Sequence, residues 1–275
     1  MVSVLKNIIR QKCRRLALDA LSLGSQLGGH FNNFTDRSVV QLILLHHIEP
    51  HEEEAFNVLV GWLAENYNFV SWSRAVEMIG SQEECPASVA ISFDDGFKDN
   101  CVAAKILERH GQTGCFFICP SIVGEPNPET VLEFSRERLL YQQARKFMNW
   151  DDVLQLKKSG HEIGNHSLRH LYMMDLSEEQ FSEEVESARD EIVSKVGSVK
   201  HFSWPYGRFF HFRESLVQTV LDAGHVSCAS GERGAHFPQS NKTVFGGCLL
   251  RESLDVSWPM RHCKYFISKS TRSAS

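Results

Sequence analysis

The chain has 275 residues, 42% of them hydrophobic and 23% charged. These values suit one large α/β domain or two small ones and exclude disorder, collagen and coiled coil. Lys and Arg number 29 against 34 Asp and Glu, a net charge of -5, and the body of the chain has no long basic run, which argues against nucleic acid as a partner.

The segment VSVLKNIIRQKCRRLALDALSLG carries Lys6, Arg10, Lys12, Arg14 and Arg15 before its first acid. Its apolar part holds Asp19 and has no small-residue cleavage site, so it reads poorly as a secretory signal. Leu5, Ile9, Cys13, Leu16 and Ala20 recur at helical spacing. Two readings stay open: an amphipathic helix making peripheral contact with an anionic membrane surface through residues 1–20, or a helix packed on the domain or fraying from it. No run of about 18 apolar residues suggests a transmembrane helix. Eight Cys without a CxxC pair suggest free thiols in a reducing compartment. The expectation is a cytoplasmic protein, at most peripheral to the inner membrane.

From residue 41 strands and helices alternate. QLILLH (41–46) reads as a buried strand, 52–65 and 72–79 as helices, and SVAISF (88–93) as a strand ending at a DDG turn. A helix over 98–109 precedes the strand TGCFFIC (113–119), and 124–149 is a polar excursion outside the framework. A helix over 151–159 stops at Gly160 and leads into HEIG. The helix over 177–196 opens with a capping box of Ser177 and Gln180. HFSW (201–204), a helix over 212–223, HVSCA (225–229) and TVFGGCLL (243–250) complete the series. The pattern predicts an α/β protein, a distorted (β/α) barrel of about seven strands. Residues 1–40 form an N-terminal basic helix and tail, 41–268 the barrel, and 269–275 a polar tail.

In such barrels the chemistry sits at the C-terminal strand ends. Asp94-Asp95-Gly96 follows one strand directly, and two adjacent carboxylates in a dry mouth call for a cation. His166 and His170 follow another, spaced i and i+4, so that both can face one metal from a helical turn. Two imidazoles and a carboxylate leave open coordination positions, the pattern of a catalytic rather than a structural metal.

Three stretches carry a resemblance to a family: ISFDDG (91–96), NWDDVLQLKKSGHEIGNHSLRH (149–170) and FSWPYG (202–207). The sequence resembles the polysaccharide deacetylase (NodB-homology) family of metal-dependent carbohydrate esterases over roughly 40–268. The resemblance implies hydrolysis of N-acyl groups on a saccharide, with Asp95, His166 and His170 as ligands of one divalent metal, most simply Zn2+, with Co2+, Ni2+, Mn2+ or Fe2+ as alternatives. It implies Asp94 as general base, Pro205 and Tyr206 in the groove wall, and the Tyr206 N–H as an oxyanion donor. Trp204 is a candidate for stacking on a sugar ring.

Two departures stand out. The late Leu-x-His motif of the family is absent, and LILLHHIEP (42–50) resembles the early His element of a permuted subgroup, which by position implies His47 as general acid and His46 as the neighbour turned away by strand alternation. Ser203 stands where many members have an Arg that orients the base, and Arg251 resembles an Arg that supplies this guanidinium in the early-His subgroup. The expected function is removal of N-acetyl or N-formyl groups from a saccharide, with lipid-linked or cell-envelope glycan precursors as candidate substrates. The alternative is a catalytically weak or inactive carbohydrate-binding protein on the same fold.

Overall fold

The computed structural model describes residues 2–29, 38–239 and 245–271. A helix α1 (Val2–Leu27) comes first. The barrel frame runs β1 (Val40–Leu45), α2 (Glu53–Asn66), β2 (Asn68–Phe69), α3 (Trp72–Ser81), β3 (Ser88–Phe93), α4 (Asn100–Arg109), β4 (Gly114–Ile118), α5 (Pro128–Glu133), α6 (Trp150–Lys158), β5 (Glu162–Asn165), α7 (Glu178–Val196), β6 (His201–Ser203), α8 (Leu216–Asp222), β7 (Ser227–Ala229), β8 (Glu252–Ser253) and α9 (Met260–Ser270). The strands form one curled parallel sheet in the order β7-β6-β5-β4-β3-β1-β8, and β2 pairs with β3. Helices flank this half-barrel, as the alternating pattern predicts.

Side chains alternate across each strand, and the two faces have separate cores. Ile43, Leu45, Val89, Ile91, Phe93, Phe116 and Ile118 point outward against the helices. Val40, Leu42, Ala90, Cys115, Phe117 and Ala229 point inward, where α3 plugs the bottom with Trp72 edge-on to Phe117 at 5.5 Å. Below them the first inward residues of β5, β6 and β7 form a polar layer. Ser73 Oγ bonds His201 Nε2 at 2.8 Å and also Glu162, and His201 Nδ1 meets Ser227 Oγ at 2.9 Å.

Two segments link the sheet edges: the chain after β7 reaches β1 through His236, which exchanges both backbone bonds with Val40, and a second segment runs through Leu249. Leu249 N donates to Cys228 O at 2.9 Å and Ser230 N to Leu249 O at 2.8 Å, so Leu249 is tied to the β7 edge. Two residues past Arg251, Ser253 pairs with Leu44 of β1, as Glu252 does with Ile43. Residues 249–253 therefore bridge the seam of the barrel.

Several predicted elements shift. Within TVFGGCLL, Phe245–Gly247 is a 3-10 turn rather than strand, because Gly246 and Gly247 both adopt left-handed φ; residues 243 and 244 lie outside the described residues. Helix α8 begins at Leu216, not 212, since Phe212 is extended and buried beneath Trp204. Lys269 and Ser270, expected in a polar tail, belong to α9, where the Ser270 hydroxyl bonds Glu252. Cys115 and Cys119 are buried core, and the seven described cysteines are free.

Gly164 is the most tightly enclosed of the described glycines. A Cβ there would lie 2.2 Å from the Phe117 ring, and strand backbone on both sides limits relaxation. Gly164→Ala is expected to destabilise the barrel by about 1–3 kcal/mol through overpacking, read as a lower Tm in thermal denaturation.

Candidate active site

Two turns at the strand ends build the site. After β3 the chain reverses through Asp95 (φ 73°) and Gly96 (φ 73°). Gly96 has to be glycine for a second reason: a Cβ would press on Ile118 at 3.2 Å. Asp94 N donates to Leu45 O at 3.0 Å and Met148 N to Gly96 O at 3.0 Å, which fixes the turn from both sides.

The second turn follows β5. His166 and His170 do not share a helical turn as their spacing suggested; the segment is a non-helical loop with Ser167 (φ 64°) and His170 (φ 52°) in the left-handed region. Buried polar groups impose this shape. Asn165 Oδ1 accepts from Ser167 N at 2.8 Å, and Ser167 Oγ accepts from His170 N at 3.1 Å. The fully buried Glu184 accepts from both Arg169 N, at 2.9 Å, and Arg169 Nε.

These turns bring three ligand atoms together. Asp95 Oδ1 lies 3.3 Å from His166 Nε2 and 3.4 Å from His170 Nε2, and all three atoms lie within 4.8 Å of one another. Ligands at ~2.0–2.1 Å on a tetrahedral ion are separated by roughly 3.4 Å, so the donor set fits a divalent metal. His166 Nδ1 meets Ser203 O at 2.9 Å, which leaves Nε2 as the bare nitrogen for coordination. Burial opposes charge on every member. It holds His170 near a pKa of about 4, and His166 is raised only because Asp94 and Asp95 outweigh burial. For Asp95, too, burial is overcome: the bond from His166 and the fields of His170 and His46 keep it ionised.

Asp94 stands apart from this trio, with Oδ2 4.0 Å from His166 Nε2. Its partner is Arg251, which is fully buried. Nη1 bonds Oδ1 and Nη2 bonds Oδ2, both at 2.8 Å. The guanidinium is held in turn by Ser230 O at 2.7 Å, Ser203 Oγ at 2.7 Å and Ser92 Oγ at 3.2 Å. Ser203, the residue in place of the family Arg, also donates to Asp94 Oδ2 at 3.0 Å. Burial would raise the Asp94 carboxyl, but Arg251 and His166 more than offset it and keep the pKa below its ordinary value. The sequence singled out Arg251 but not the serine hydroxyls that orient it.

The chain belongs to the polysaccharide deacetylase family. The family model named Polysaccharide deacetylase matches residues 81–226. No curated protein sequence matches the chain. Among solved structures, IcaB from Ammonifex degensii superposes with a TM-score of 0.67 at 15% identity, covering 83% of this chain and 97% of that one. A de-N-acetylase from Aggregatibacter actinomycetemcomitans gives 0.61 at 17% identity, covering 83% and 98%. The Streptococcus pyogenes deacetylase PplD gives 0.61 at 14%, covering 78% and 92%. At these identities the likeness establishes the shared fold.

The deacetylase cavity holds about 460 Å³ and is bordered by Asp94, Asp95, His166, His170, Tyr206 and both His46 and His47. The expectation that strand alternation sends one histidine away needs revision. Strand β1 ends at Leu45, and both histidines follow it and reach the cavity. Their surroundings still separate them. His46 lies close enough to lower both Asp94 and Asp95. His47 packs edge-on to Phe97 and Tyr141, 3.9 Å from Glu49, and burial together with Arg145 lowers its pKa.

Trp204 is not a sugar platform. Its ring is stacked between Phe212 at 4.0 Å and Phe181 at 5.6 Å, and it is 1% exposed. Both faces are taken, so it props the site from below. Pro205 does not border the cavity; its carbonyl accepts from Gly207 N at 2.7 Å and shapes the turn. Tyr206 (φ 60°) follows, with its ring edge-on to His170 at 4.8 Å. Half-buried Arg138, which no sequence signal marked, also borders the cavity near Tyr206 and has no ion pair among the described residues.

Arg251→Met would leave Asp94 buried and unpaired. The expected cost is about 3–5 kcal/mol of stability, and any residual activity should show its acid limb at higher pH, because the carboxyl loses the charge that depresses it. Adding Asp94→Asn to this variant should restore part of the stability but none of the activity. Denaturant titration and a pH–rate profile separate the two effects.

Proposed function

We propose that this protein is a metal-dependent hydrolase that removes an N-acetyl or N-formyl group from a saccharide. The observation that carries the reading is a tetrahedral-sized Asp95–His166–His170 donor set beside a second carboxylate, Asp94, that is held ionised by its own guanidinium. Zn2+ suits this set, and Co2+, Ni2+, Mn2+ and Fe2+ share the preference. A divalent ion held there would acidify a water molecule and polarise the acyl carbonyl.

The residues of the chain supply the rest. Asp94, anchored through both oxygens, accepts the proton of the attacking water as general base. Its ionised state follows from Arg251, and its orientation from Arg251 and Ser203. The Tyr206 N–H supports charge on the acyl oxygen; its neighbours Trp204 N and Gly207 N are engaged with Ala229 O and Pro205 O, and Pro205 has no N–H. The departing amine needs a proton. His46 is the better donor than His47, since it borders the cavity close enough to act on both carboxylates, while His47 packs against Phe97 and Tyr141. Arg138 offers an unneutralised cation to an anionic group on the sugar, which favours a lipid-linked or cell-envelope precursor as substrate. Against the binding-only alternative stands Arg251, which fills the role left open by Ser203.

The direct test is acetate or formate release from a panel of N-acylated oligosaccharides and lipid-linked sugars. Asp94→Asn should abolish turnover and keep the metal, whereas His166→Ala with His170→Ala should lose both, as elemental analysis would show. Full metal occupancy in the double variant would remove the assignment of those ligands.

His46→Ala should lower kcat by about 10²–10⁴, the usual worth of a general acid, with metal content unchanged. His47→Ala should fall much less. The reverse ranking would return the role to His47, and near-normal rates in both would assign proton delivery to another group.

A further inference from the structure

Helix α1 is mounted with its apolar side outward. It docks on α9 through polar groups: Asp19 meets His262 Nε2 at 2.8 Å and also pairs with Arg261, and Ser22 is fully buried. Flanking this docked face, Leu16, Ala20, Leu23 and Leu27 follow at spacings of four, three and four residues and form one continuous exposed helical stripe. Leu16 is 68% exposed, Leu23 53% and Leu27 81%, and Leu21, further round the helix, is 53% exposed. A helix that belonged only to the fold would turn this stripe to the core. Here α9 already closes the core with Cys263 and Ile267, and Leu16, Leu23 and Leu27 stay exposed among the described residues.

The charge on α1 selects the occupant. The first 18 residues hold five of the 29 Lys and Arg of the chain and none of its Asp or Glu. The first acid, Asp19, is neutralised by α9. Like charge on two such helices would oppose pairing between copies of the chain, whereas an anionic lipid surface satisfies both the cations and the leucines. Among the described residues no helix is long and apolar enough to cross a membrane, which leaves α1 to lie in the surface plane.

We propose that α1 is an interfacial anchor that seats the protein on an anionic bilayer through Leu16, Leu23 and Leu27. This holds whether or not the proposed activity is correct. The test uses the full chain with vesicles of phosphatidylglycerol and phosphatidylcholine, followed by co-sedimentation. Wild-type protein should pellet with the anionic vesicles, release as salt rises, and ignore pure phosphatidylcholine. Leu16→Ser, Leu23→Ser and Leu27→Ser together should weaken binding by more than about tenfold, while circular dichroism and hydrolysis of a soluble substrate stay unchanged because these residues are exposed. Failure of the wild type to bind, or equal binding by the triple variant, would overturn the proposal. So would a dimer in sedimentation velocity that forms without lipid and disappears in the triple variant, since the stripe would then belong to a second copy.

Discussion

A carboxylate and a guanidinium sealed from water at the mouth of the barrel set the terms for the rest of this site. Burying either charge alone would be prohibitive, and burying both is tolerable only when their remaining donors and acceptors are met. The protein meets them with small groups: the hydroxyls of Ser92 and Ser203 and the carbonyl of Ser230. Each comes from a different strand or strand end, so the pair also reports whether the strands are in register. Asp94 is thereby kept charged and aimed in a dry place, where neither state would persist unaided.

The metal-ligand trio obeys a different constraint, imposed by backbone. Among the described residues six non-glycines have positive φ, and four of them are Asp95, Ser167, His170 and Tyr206. A left-handed residue costs of order 1–3 kcal/mol, and here the strain is held by Glu184, Asn165 and the Ser167 hydroxyl. Strand ends give out onto the mouth, but only a sharp reversal can put two consecutive carboxylates, Asp94 and Asp95, to different uses. The Phe181–Trp204–Phe212 stack beneath keeps the Tyr206 turn from sinking into the interior.

Much of this was legible in the residues. Long apolar runs located β1, β3 and β4, the capping box located α7, and the DDG and HxxxH motifs marked the two site turns. What could not be read depends on three-dimensional surroundings. Strand alternation implies that only one of His46 and His47 reaches the site, but β1 stops at Leu45 and both border the cavity, one acting on Asp94 and Asp95 and the other packed against Phe97 and Tyr141. The i,i+4 spacing of His166 and His170 suggested a helix because local spacing cannot see Glu184 on a neighbouring element. Trp204 looked available beside a turn, yet its faces are covered by residues from α7 and from the segment before α8. Arg251 was visible only as a resemblance, because its target lies 157 positions away in the chain.

The seam segment 249–253 gives the barrel an order of failure. It is short, its ladder to β1 has two residue pairs, its remaining backbone ties run through Leu249 to β7 and through single bonds to Glu232 and His236, and it carries the guanidinium on which Asp94 relies. Regions with few ladder bonds open at lower free energy than the core strands. Opening at this point would withdraw Arg251 while β1, β3 and β4 remain paired. Warming should then silence the protein before it unfolds, so that the ceiling on its working temperature is set by one latch rather than by the melting of the sheet.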